Sequence, residues 1–155
     1  MRTGLTALIA ALLVACAAAC GGDGDSEAET EFRAEVNAVC ADYGPRLDLL
    51  APPSEDVDEW AAIAADMGDL LEASVNELRL LEPPDELSAG YAEWLDLRAQ
   101  LLTTVRDLQT AGGLHDEAAV DQSLRQIDET MAEADPLAEE LGFEDCSPTG
   151  VTTGL

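Results

Sequence analysis

The side chains best suited to chemistry are few in this chain, and their spacing does not assemble a familiar catalytic centre. Its single histidine, His115, lies in a stretch that reads as a loop. Helical metal centres use Glu-x-x-His, so that both ligands share one helix face, but Gly112 stands three positions before His115. A di-iron or zinc centre is therefore not expected. No Gly-x-Ser-x-Gly turn exposes a nucleophile, and no glycine-rich loop is arranged to cradle phosphate. Asp and Glu together number 33, so that a pair at glycosidase spacing would carry no information. The string Asp23-Gly24-Asp25-Ser26-Glu27 has calcium-loop residue types but lacks the third ligand and the glycine turn of the twelve-residue pattern. The expectation is a protein that is not an enzyme and holds no metal or cofactor.

The four cysteines are more informative. Cys16 and Cys20 end a leader with one positive charge, Arg2, followed by an uncharged, Ala-rich apolar run. That order is the layout of a secretory signal. At about 13 residues the run is too short to span a bilayer comfortably. Leu13-Val14-Ala15-Cys16 resembles the lipobox of bacterial lipoproteins, in which the cysteine sulfur takes a diacylglyceryl group before cleavage makes it the new N-terminus. Cys16 is the expected attachment residue. Cys20 is the alternative, because the polar tether follows it at once and because its use would leave Cys40 and Cys146 as the sole thiols. Either way, Cys40 and Cys146 are expected to form a disulfide, which the oxidising side of a membrane preserves.

Trp60, Tyr91 and Trp94 are the aromatic residues that could line a small-molecule pocket between helices, with Arg98 beside them. The competing reading is that the rings fill the core and that Arg98 snorkels with its stem against the bundle. The formal net charge of −26 argues against nucleic acid or anionic headgroups as partners, since both are recognised through clustered basic side chains. An envelope protein or a cationic partner suits that charge better, although many helical domains simply wear such charge on a solvated surface.

These side chains must be positioned by helices. The chain is 47% hydrophobic but only 4% aromatic, so its core is built from Leu, Ala, Val and Met. Apolar residues recur three and four apart in four segments, which predicts an all-α, antiparallel four-helix bundle. The first helix is expected over Glu27 to Leu50, opened by a Ser26–Glu29 capping box and kinked or restarted at Gly44-Pro45. The second runs from Ser54 or Asp56 to just before Pro83-Pro84, with a seam through Val57, Trp60, Ala64, Met67, Leu71, Ser74, Leu78 and Leu81. The third spans Asp85 to Thr110 and stops at Gly112-Gly113. The fourth opens at Asp116, breaks at Asp135-Pro136, and ends after a last turn at Gly142. Phe143 to Cys146 reads as a tail.

Val36-Asn37-Ala38-Val39-Cys40, the Leu81-Glu82-Pro83-Pro84 hinge with Tyr91 and Trp94, and Leu141-Gly142-Phe143 with Cys146 together resemble a group of small exported helical proteins from high-GC Gram-positive bacteria. Many of that group carry lipoprotein signals. The likeness covers most of residues 30–147; it implies an exported helical domain and no particular activity.

The resulting division is a signal peptide over residues 1–15, a lipid-anchored flexible tether over 16–29, a bundle over 30–146 closed by one disulfide, and a disordered tail over 147–155. The expected role is an interaction or accessory module of the cell envelope, lipid-anchored at the extracytoplasmic face of the membrane. The alternative is a binding protein for a small or cationic ligand.

Overall fold

The computed structural model describes residues 25–50 and 57–146. Helices α1 (Glu27–Asp48), α2 (Val57–Leu78), α3 (Asp85–Gly113) and α4 (Glu117–Leu141) follow one another, and a 3₁₀ turn, Glu144–Cys146, comes after them. They form an antiparallel four-helix bundle, closed by a disulfide between Cys40 and Cys146. The antiparallel register shows in the pairs that meet: Ala61 with Gly112 and Gly68 with Arg106 between α2 and α3, Gly90 with Leu141 and Gln100 with Thr130 between α3 and α4. The leader with Cys16 and Cys20, and the C-terminal segment 147–155, lie outside the described residues. None of the described helices is long and apolar enough to cross a membrane.

Local sequence sets the helix ends. The Ser26 hydroxyl accepts from the Glu29 amide at 3.2 Å while the Glu29 carboxylate accepts from the Ser26 amide at 2.6 Å, so two amides that helix geometry leaves orphaned are satisfied. Residues 27–29 therefore belong to α1 and not to the tether. Asp116 caps α4 by accepting from the Ala119 amide at 3.1 Å. His115, just before it, adopts a left-handed φ of 53°, which turns the chain from α3 into α4.

Helix α1 does not restart at Pro45, and the break expected at Asp135-Pro136 does not occur. α1 continues through Pro45 to Asp48, and α4 continues through Pro136 to Leu141. A helical proline forfeits one backbone hydrogen bond and crowds the preceding turn, at about 3 kcal/mol or more. Packing on both sides outweighs that loss in α4, where Ala134 precedes Pro136 and Ala138 and Leu141 follow it, all three buried in one cluster. In α1, Tyr43 before Pro45 is buried, and Leu47 after it packs against the core. α3 also runs three residues past its expected end, because Gly112 is not a stop but a contact: its Cα faces the α2 backbone at Ala61.

The core divides into two clusters along the bundle. One gathers Phe32, Val36 and Cys40 of α1 with Leu78, Leu87, Tyr91, Trp94, Ala134, Ala138, Leu141 and Phe143. The other is built mainly by α2, α3 and α4, around Ala64, Leu71, Leu101, Val105, Leu108 and Val120.

Candidate functional site

The end of the bundle where α1 meets the C-terminal turn concentrates most of the unusual side-chain chemistry. It starts from Gly142, whose φ of 79° ends α4 in the left-handed region that suits glycine. The Phe143 amide then donates to the Ala138 carbonyl at 2.8 Å and the Gly142 amide to Glu139 at 3.1 Å, the reciprocal pattern of a Schellman cap. This reversal aims Phe143 inward. Its ring is fully buried, 5.1 Å from Trp94, 5.9 Å from Tyr91 and 6.2 Å from Phe32 between centroids. Phe32 and Tyr91 meet edge to face at 4.9 Å. Rings at such distances and tilts gain about 0.5–1.5 kcal/mol per pair beyond their burial.

Two polar residues of α1 hold this segment from outside. Arg33 donates through Nε to the Leu141 carbonyl at 2.8 Å, covering the negative end of α4, and pairs with Asp25 through Nη1 at 2.8 Å. Asn37 donates through Nδ2 to the Gly142 carbonyl at 3.1 Å and accepts through Oδ1 from the Asp145 amide at 3.0 Å. One turn further on, Cys40 is bonded to Cys146. The residues at 33, 37 and 40 thus form one strip of α1 that reads the backbone of 141–146.

Trp60 does not join this group. It is partly buried against the second cluster, whereas Tyr91 and Trp94 lie in the first. Tyr91 and Trp94 stack on each other with ring centroids 6.0 Å apart, Phe143 packs against both and Phe32 against Tyr91, so these rings are part of the core. The Tyr91 hydroxyl donates at 2.6 Å to the Leu78 carbonyl at the end of α2, which also accepts from the Leu81 amide at 3.1 Å, and burial pushes the Tyr91 pKa up to about 12. Tyr43 donates to Glu77 Oε1 at 2.6 Å and is likewise raised, mainly by that bond.

Arg98 of α3 is half-buried on the side of α4, its guanidinium 5.7 Å from the Trp94 ring centroid. Its Nε is buried without a hydrogen-bond partner. Desolvation lowers its pKa, and the Asp135 charge on α4 works in the opposite direction. Desolvation also raises the Asp135 carboxyl, against the pull of Arg98. The Arg98 guanidinium thus lies beside an aromatic ring with the charge of one carboxylate acting on it.

A groove of about 470 Å³ opens beside the same end, lined by Ala28, Glu31, Phe32 and Glu35 of α1 and by Glu82, Pro83 and Pro84 of the α2–α3 hinge. Its charged groups are all carboxylates. Among the described residues no three or more His, Cys, Asp or Glu side chains are placed to hold one metal ion.

Sequence reasoning missed Phe143 and Asn37 as organising residues. An apolar residue immediately after a helix-ending glycine is the signal for the first, because that position makes the hydrophobic contact of a Schellman cap. For Asn37 no local signal exists, since its partners are over 100 residues away.

The fold and this closure define a disulfide-stapled, acidic four-helix bundle. In comparisons with protein families, curated proteins and solved structures, no match to the chain was found.

Proposed function

We propose that the protein is a lipid-anchored, extracytoplasmic helical-bundle module that serves an interaction or accessory role at the cell envelope. The observation that carries this reading is the Cys40–Cys146 bond, which ties the first helix to the last described residue. Such cross-links persist on the oxidising side of a membrane and are rare in reducing cytosol. The leader with its lipobox at Cys16, or alternatively Cys20, supports the same address. Mass spectrometry of the mature N-terminal peptide tests it. Diacylglyceryl on Cys16 or Cys20 is expected, and an unlipidated, uncleaved leader in cytosolic protein would remove the proposal. Crosslinking on intact cells should then return one stoichiometric envelope partner.

The groove favours a second reading, a site for a small cationic ligand. Glu31, Glu35 and Glu82 offer charge, and Pro83 and Pro84 offer apolar surface. Thermal shift with spermidine at constant ionic strength separates the two. A saturable rise lost in the Glu31→Gln, Glu35→Gln, Glu82→Gln variant supports the ligand site; a rise unaffected by those changes is diffuse screening and excludes it.

A further inference from the structure

We draw no further inference here: the strongest candidate, the Arg98 guanidinium buried at the α3–α4 seam with its Nε unpartnered, belongs to the helix packing already described, and nothing in the structure shows what would reach it.

Discussion

Asn37 holds Gly142 by its backbone carbonyl at 3.1 Å, and the same side chain takes the Asp145 amide at 3.0 Å. One amide group on α1 thus satisfies both a donor and an acceptor of the chain reversal that buries Phe143.

Replacing Asn37 with Ala takes this partner from the part-buried Gly142 carbonyl and from the exposed Asp145 amide. The expected cost is about 1–3 kcal/mol, since an unsatisfied buried group loses more than the bond itself was worth. Urea denaturation under non-reducing conditions measures it. An unchanged midpoint would mean that water replaces the clamp.

The disulfide spans a sequence separation of 106 residues. Cys40→Ala with Cys146→Ala is expected to lower stability by about 4–5 kcal/mol in the chain-entropy model, a large share of a typical domain total. Because Asn37 and Cys40 grip the same segment, the triple variant should lose less than the sum of the separate losses. Strict additivity in that cycle would show the two restraints to be independent.

Two helical glycines should respond in opposite ways to alanine. At Gly112 a Cβ would stand 2.8 Å from the Ala61 backbone nitrogen, which cannot move without shifting α2. Overpacking of about 1–3 kcal/mol then exceeds the helix-propensity gain of about 1 kcal/mol, and Gly112→Ala destabilises. At Gly68 the obstacle is the tip of Arg106, which is flexible and pairs with Asp69 and Glu72 at the surface. Those exposed pairs contribute little to stability, so Gly68→Ala is expected to be neutral or stabilising. Thermal melts of the two variants that rank in the reverse order would contradict this account of the α2–α3 contact.

Tyr91 makes stability fall in alkali. Its folded pKa of about 12 exceeds the ordinary 10.0, so the folded state keeps a proton that the unfolded chain releases. The contribution is fully present below pH 10.0 and is lost as pH rises through about 12. Tyr91→Phe should flatten that decline by about 1–3 kcal/mol, at the cost of the hydrogen bond to Leu78 at neutral pH. Tyr43, raised in the same direction through Glu77, leaves a residual slope. Denaturation between pH 9 and pH 12 measures the difference, and identical slopes in wild type and variant would rule Tyr91 out as the cause.

The helical class, its four segments and several of its ends were legible in the residues. Three-and-four spacing marks a buried helix face whatever that face meets, and the caps at Ser26 and Asp116 satisfy amides within one turn of themselves. The Cys40–Cys146 pairing was legible for a different reason: an export-type leader predicts an oxidised pair, although parity by itself singles out these two thiols only if Cys20 is the attachment residue.

Tertiary structure decided what local rules left open or misjudged. Pro45 read as a kink or restart and Pro136 as a break because the lost hydrogen bond is local, but the burial that carries each helix onward comes from other segments. Trp60 and Trp94 share a residue type yet belong to different clusters, because their places along two antiparallel helices lie at different levels of the bundle. Sequence by itself determines which surfaces must be hidden and where helices begin; which residues far apart in the chain hide one another, as Asn37 and Cys40 do with 142–146, follows only from the packed bundle, where one geometry must satisfy all of those contacts at once.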